Sequence, residues 1–171
     1  MVTTNDDYLA ERLRRFRTHG IVHLPEYGGW YYEVRELGYN YRITDVQAAL
    51  GVSQMAKLDQ FIERRGQIAD SYRRRLTDMP IGLPPAAPTG FRHGYHLFPV
   101  RVANRREAFQ RLRAAGIGVQ VHYVPVHHHP ISGDIPGGPG DYPNCDSLYE
   151  ELISLPMFPS LTEAEQAEVV A

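Results

Sequence analysis

The sequence predicts an α/β protein of the α+β kind, with helices laid over a small antiparallel sheet. Three observations predict it. A helical pattern of apolar residues runs from Thr44 to about Asp78. Shorter strand-like runs lie near residues 95–101, 117–123 and 153–157, with helical stretches between them. Helices segregated from so few strands make an α+β layer rather than a doubly wound sheet.

Taken in order, residues 1–20 read as the end of a strand, a turn and a helix. Met1-Val2-Thr3-Thr4 is β-prone, and Asn5 or Asp6 can cap a helix that carries Leu9, Leu13 and Phe16 at helical spacing. Arginines 12, 14, 15 and 17 sit towards its C-terminal end, where the helix dipole favours cations, and Gly20 is a plausible stop. Residues 21–37 carry no clear period. Gly28-Gly29-Trp30-Tyr31-Tyr32 within them is an aromatic loop, of a kind that packs on a partner, covers a site or anchors itself.

Thr44 then starts a helix. Its hydroxyl can cap, Gln47 can reach back to the cap's N–H, Ile43 and Ala48 have staple spacing, and Asp45 suits the positive end of the dipole. The pattern divides near Lys57-Leu58-Asp59. Val46, Ala49, Leu50, Ser53 and Met55 serve the first piece, while Leu58, Phe61, Ile62, Ile68 and Tyr72 serve the second, which Asp59 could cap. Glu63-Arg64-Arg65 and Arg73-Arg74-Arg75 read as a solvated face.

Residues 80–90 are a proline- and glycine-rich loop. Tyr95-His96-Leu97-Phe98-Pro99-Val100-Arg101 is strand-like, and Pro99 argues for an edge or a bulge. Asn104 with Glu107 starts a helix that faces Phe109, Leu112 and Ala115 inward and stops at Gly116. Residues 117–123 read as a strand, 124–144 as a long loop, Leu148-Tyr149-Leu152 as a short helix and 153–157 as a short strand. Thr162 with Glu165 begins a last helix.

The 171 residues suffice for one domain with a real core, since a chain of this size buries about 68–70% of its unfolded surface. Hydrophobic residues make up 43% and charged residues 22%, and the net charge of −2 gives no electrostatic support to nucleic-acid binding. No apolar run is long enough to span a bilayer and no signal-peptide pattern occurs, so the expected compartment is the cytoplasm, without membrane attachment. Cys145 is the only cysteine, which rules out an internal disulfide. Lys57 is the only lysine, so Schiff-base chemistry confined to this chain would have to use it.

Two stretches could carry chemistry. In Gly38-Tyr39-Asn40-Tyr41-Arg42, an exposed amide and a guanidinium sit on a strip held by the Thr44 helix and can meet an anion; the plain alternative is a loop-to-helix junction with Arg42 in an ion pair. In Gln120-Val121-His122-Tyr123, strand alternation places Gln120 and His122 on one face and Val121 and Tyr123 on the other. A strand that empties into a polar loop suits a sugar or a diphosphate. His122 could donate to a phosphate or sugar oxygen, and Tyr123 could stack or hydrogen-bond; the plain alternative for His122 is a structural role.

Other chemistries lack their signatures. His127-His128-His129 invites a metal, but adjacent residues rarely aim three rings at one ion, an i,i+4 helical pair or a cysteine partner is missing, and Pro130 follows; no metal site is expected. There is no Gly-x-Ser-x-Gly elbow. The glycines at 137, 138 and 140 follow no strand and are interrupted by Pro139, unlike phosphate-binding loops.

Gly38-Tyr39-Asn40-Tyr41-Arg42-Ile43-Thr44-Asp45-Val46-Gln47-Ala48-Ala49-Leu50-Gly51 closely resembles a segment of the pyridoxal-phosphate-dependent nucleotide-sugar aminotransferases of the DegT/DnrJ/EryC1/StrS group. The resemblance covers nearly the whole chain in family order. It continues through Tyr95-His96-Leu97-Phe98, Ala115-Gly116-Ile117, His122-Tyr123-Val124-Pro125-Val126-His127 and Leu155-Pro156-Met157-Phe158-Pro159. Gln-Val-His-Tyr-Val-Pro-Val-His at residues 120–127 is most similar to the subgroup that aminates UDP-linked 4-keto-6-deoxy amino sugars on the route to pseudaminic acid.

The resemblance implies a fold-type-I enzyme working as a homodimer with pyridoxal 5′-phosphate. It would move an amino group from an amino acid, commonly glutamate, to C4 of a UDP-linked keto sugar. Residues 1–37 would end the large cofactor domain and residues 38–171 would form the C-terminal small domain. Asn40 matches the asparagine that reaches across the dimer towards cofactor phosphate or substrate. Gln120, Val121, His122 and Tyr123 match a segment that lines the sugar-nucleotide pocket. The family's cofactor lysine lies upstream of Met1, and neither it, the acid paired with the pyridine nitrogen nor the ring-stacking aromatic has a counterpart here. The expectation is therefore a C-terminal fragment, inactive alone, with no catalytic residue of its own and with Met1 an internal methionine. His128-His129-Pro130-Ile131-Ser132-Gly133 departs from the family pattern, which leaves the sugar open. The competing reading is a non-catalytic domain that dimerises or binds nucleotide sugars. An in-frame continuation upstream of Met1 with a lysine loop separates the two.

Overall fold

The computed structural model describes residues 2–130, 138 and 140–171; Met1, the Ile131-Ser132-Gly133 part of the departing loop, Gly137 and Pro139 lie outside them. The described chain forms two compact units, Met1–Ala56 and Lys57–Ala171.

In the first unit, helix α1 (Asp7–Phe16) starts where Asp6 accepts the N–H of Leu9. Residues 2–4, read as β-prone, form no strand. The stretch without a period holds an antiparallel hairpin, β1 (Ile21–His23) on β2 (Tyr32–Val34). Three-residue strands are too short to display alternation, which is why the sequence did not announce them. Gly20 adopts φ +71° and its N–H reaches Arg15 O at 2.9 Å, closing α1 as expected. Helix α2 (Asp45–Met55) carries the full capping box: Gln47 N–H donates to Thr44 Oγ1 at 3.3 Å, and Thr44 N–H to Gln47 Oε1 at 3.0 Å. Thr44→Ala removes the hydroxyl that accepts the Gln47 N–H, while the residue-44 backbone N–H can still donate to Gln47 Oε1, and is expected to weaken α2 by about 0.5–2 kcal/mol. Faster amide exchange at Gln47 and Ala48, whose N–H groups bond to Thr44, measures it; unchanged exchange there contradicts the cap.

The residues that carry the helical pattern of α2, Val46, Ala49, Leu50, Ser53 and Met55, are all exposed, and so is Val52. Among the described residues of this unit only Gly20 is buried. Ile43 of the expected staple is likewise exposed.

The second unit holds the core. Helix α3 (Leu58–Leu76) begins at Lys57, which makes no side-chain cap; Asp59 sits in the first turn and pairs with Arg92 instead of capping. Ile68, Ala69, Tyr72 and Leu76 form its buried stripe. They pack against Phe98 and Val100 of β3 (Phe98–Arg101), Ile153 and Leu155 of β4 (Leu152–Leu155), Val119 and Leu161. Burial raises the Tyr72 hydroxyl pKa above its ordinary range, and that hydroxyl donates to Pro156 O at 3.0 Å. The arginine face is only partly solvated. Arg64 donates to Leu161 O at 2.7 Å, and the Arg73 guanidinium lies over the rings of Tyr95 and Phe98.

Helix α4 (Arg105–Ala114) starts at Asn104, which accepts the Glu107 N–H, and turns Phe109 and Leu112 to the core while Ala115 stays exposed. Helix α5 (Pro143–Glu151) runs directly into β4. Helix α6 (Glu163–Val170) has the Thr162–Glu165 capping box, and its buried Gln166 donates to Ile68 O at 2.8 Å.

β3 and β4 are antiparallel, with Phe98 opposite Leu155 and Arg101 opposite Leu152. On its other side, among the described residues, β3 meets only a bridge between Gly82 and Arg101, so Pro99 lies in an outer strand. The predicted strand over 117–123 is not formed. One bridge, Gln120 to Ser154, takes its place. Gln120 and Ser154 exchange both backbone bonds, at 3.3 and 2.8 Å. The next such pairs in this register would be 118 with 156 and 122 with 152. Pro156 has no N–H, and the Leu152 N–H is already given to Leu148 O at the end of α5. The ladder therefore stops after one rung.

Candidate functional site

The first candidate element is the strip at residues 38–42. Phe16 O accepts the Tyr39 N–H at 2.7 Å, Tyr39 O accepts the His19 N–H at 3.0 Å, and Arg17 O accepts the Tyr41 N–H at 3.0 Å. These bonds hold Asn40 opposite Thr18. Tyr39 and Tyr41 stack with centroids 5.0 Å apart at 8°, both against the edge of Phe16. With a period of two, the Asn40 side chain points to the opposite face of the strip. It is exposed, and among the described residues its amide engages no other group. Arg42 is exposed without an ion pair among the described residues, so the expected alternative of a structural ion pair is not realised.

The second lies in the other compact unit. Gln120 and His122 line one cleft of about 470 Å³, with Ser154, Phe158, Glu165 and Glu168 also on its walls. Val121 and Tyr123 are not on those walls. Tyr123 is exposed and meets the His122 ring edge-on at 4.7 Å. The Nδ1 of His122 is buried and has no hydrogen-bond partner among the described residues. An orphan of that kind on a cleft wall is completed by a ligand group or a water. Glu165 is held ionised, its pKa lowered by the backbone N–H and then the hydroxyl of Thr162.

A third cluster was missed. His127 and His128 each place Nε2 2.7 Å from Oδ1 of Asp146, whose Oδ2 accepts the Gly140 N–H at 2.8 Å. The hydrogen bond from His127, then that from Gly140, lowers the Asp146 pKa to about 2. His129 takes no part. Nothing in the spacing of His127 and Asp146 signals the meeting, which depends on where α5 lands. Lys57, the only lysine, is exposed at the head of α3.

No helix among the described residues is long and apolar enough to cross a membrane.

Comparison with known proteins sets this geometry in context. The whole chain, residues 1–171, matches the DegT/DnrJ/EryC1/StrS aminotransferase family. It is 32% identical over 164 residues to UDP-4-amino-4,6-dideoxy-N-acetyl-beta-L-altrosamine transaminase of Campylobacter jejuni subsp. jejuni, covering 91% of this chain and 42% of that protein. It superposes on S. venezuelae DesV with a TM-score of 0.85 at 35% identity, covering 98% of this chain and 44% of DesV. Helicobacter pylori PseC, an aminotransferase involved in the biosynthesis of pseudoaminic acid, superposes with a TM-score of 0.84 at 27% identity, covering 98% of this chain and 44% of PseC. The chain spans just under half the length of the curated relatives it matches, 47% for the first two.

Proposed function

Because the chain belongs to the DegT/DnrJ/EryC1/StrS aminotransferase family, we propose that the whole protein moves an amino group from an amino acid, glutamate by preference, to C4 of a UDP-linked 4-keto-6-deoxy sugar. The product would enter pseudaminic-acid-type or related cell-surface sugars made in the cytoplasm. Residues 1–37 end the cofactor domain in this reading, and 38–171 make the small domain.

Pyridoxal 5′-phosphate, when bound, supplies the electron sink for the amino exchange. This chain fits only its phosphate end. Asn40 is a free amide on a fixed strip, suited to a phosphate or substrate oxygen of a neighbouring subunit. The sole lysine, Lys57, is outside the family's cofactor loop, so the holding lysine is supplied from beyond these residues and the chain alone is inactive. Gln120 and His122 bind the sugar nucleotide in the cleft, and Val121 and Tyr123 belong to the same pocket segment by family resemblance although they stand off its walls here. The cleft shared by Gln120 and His122 carries this reading. The exposed Val46, Leu50, Val52 and Met55 support a homodimer, since apolar residues left uncovered along a helix suit burial against a second copy.

Subunit complementation tests the assignment. Whole protein carrying Asn40→Ala, mixed with whole protein lacking the cofactor-holding lysine, is expected to regain part of the amino-transfer activity, because one hybrid site then has both groups. His122→Ala is expected to raise KM for the sugar nucleotide while cofactor retention stays near that of the parent. One lost hydrogen bond of about 0.5–3 kcal/mol corresponds to a loss of about two-fold to more than a hundred-fold in affinity. If hybrid dimers form and recover nothing, Asn40 does not act in trans.

A further inference from the structure

The cluster below the cleft segment has a donor set that the aminotransferase reading does not use. His127 and His128 are neighbours on the turn Val126–His128, and both Nε2 atoms crowd a single carboxylate oxygen at 2.7 Å. The three ligand atoms lie within 4.8 Å of one another. The side chains are mostly covered, with relative exposures of 10%, 20% and 21% for His127, His128 and Asp146. Each is also oriented from outside the cluster. Gly140 N–H holds the second Asp146 oxygen, the Tyr142 ring lies 4.8 Å from that of His127, and the edge of Tyr149 meets His128 at 5.6 Å. A carboxylate oxygen fixed by a backbone N–H behind a ligand oxygen is the support that metal sites use.

We propose that His127, His128 and Asp146 bind one zinc-class divalent ion. Two neutral imidazole nitrogens and one carboxylate form a borderline N/O set, which suits zinc and disfavours magnesium and calcium with their all-oxygen shells. Without an ion, both imidazoles must direct an N–H to the same oxygen. With one, both nitrogens and the oxygen share a single centre, and each ring keeps its proton on Nδ1. Ligand bonds of about 2.0–2.2 Å in a tetrahedron require the N···O separations to open from 2.7 Å to about 3.3 Å, a shift of about 0.6 Å. Three protein ligands leave a fourth position for water. The ion would tie the turn that follows residues 120–123 to α5, fixing the exit of the cleft segment.

The test uses the full chain, made without a polyhistidine tag, stripped with a chelator and titrated with zinc chloride against a chromophoric competitor. One equivalent per chain is expected. His128→Gln and Asp146→Asn should each weaken uptake by more than the about 10–100-fold that loss of an outer-shell partner causes. His129→Gln should bind as the parent does. Because Asp146→Asn also removes hydrogen bonds that hold the turn, imidazole ¹⁵N resonances are followed in the unsubstituted chain. Zinc should move the Nε2 signals of His127 and His128 and leave those of the other histidines in place. No stoichiometric uptake, uptake that survives both substitutions, or Nε2 shifts confined to other histidines would each overturn the proposal and leave the cluster as a hydrogen-bonded clamp.

Discussion

Phe98→Ala is expected to cost the second unit about 3–5 kcal/mol. The ring has 0% exposure and stands between Tyr72, at 5.1 Å between centroids, and the β3–β4 ladder, where Phe98 pairs with Leu155. Its removal leaves a cavity that α3 cannot collapse into. Tyr72 is tied by its hydroxyl to Pro156 O, and Gln166 ties the backbone of α3 at Ile68. Arg73 loses a ring beneath its guanidinium as well. Set against a typical total of about 5–15 kcal/mol, the loss should move the urea midpoint far to lower concentration. Phe91→Ala, at a ring that is 75% exposed, should fall within about 0.5 kcal/mol of the parent. Equal midpoints for the two variants would remove Phe98 from the centre of the core.

The second large effect is expected at Gly38. A Cβ there would stand 2.3 Å from Gly20 N, 2.7 Å from His19 C and 2.9 Å from Phe16 O. All three are backbone atoms, so no side chain can swing aside. Overpacking of this kind costs about 1–3 kcal/mol and occasionally more, above the about 0.4–1 kcal/mol that alanine gains by stiffening the unfolded chain. The displaced segment is the one that carries Asn40. Gly38→Ala should therefore expose the Tyr39 and Tyr41 amides to exchange, whose bonds to Phe16 O and Arg17 O depend on that close approach. Gly51→Ala is the contrast. Among the described residues nothing beyond its chain neighbours and the adjacent backbone of α2 comes within 4 Å of a Cβ placed there, and the exchange should stabilise by about 0.5–1 kcal/mol. If Gly38→Ala leaves those two amides as protected as in the parent, the close approach does not hold the strip.

These two sites mark what could be read from the chain. Glycine at the head of the strip was visible, but its reason was not, because Gly38 is pressed on Gly20 from eighteen positions earlier. Many signals contained within a few residues were read, although Asp59 does not cap α3 and residues 2–4 form no strand. The boxes at Thr44–Gln47 and Thr162–Glu165, the cap at Asn104 and the stripe ending in Ile68 and Tyr72 need no distant partner. Of the features settled by non-local pairing, the antiparallel match of the runs near 95–101 and 153–157 was read and others were lost. The 117–123 segment had the composition of a strand, yet its length was decided by Pro156 and by the commitment of the Leu152 N–H to α5. The outward turn of α2's apolar residues was hidden for a related reason: periodicity shows which side of a helix is apolar, not what covers it. Gln120 and His122, which alternation set on one face, both line the cleft although the strand itself is not formed. Alternation said nothing of Asp146, which only the placement of α5 brings to His127.

That placement has a mechanical side. Leu152 is at once the last cap of α5 and the first residue of β4, so no connecting residue separates helix from strand. The joint has no slack. Strand side chains alternate, so one inserted residue would move Ile153 and Leu155 off the face they share in the core and put Ser154, buried on the opposite face, in their place. Insertions and deletions are barred from this hinge, and any rotation of α5 is delivered directly to the cleft wall two residues on.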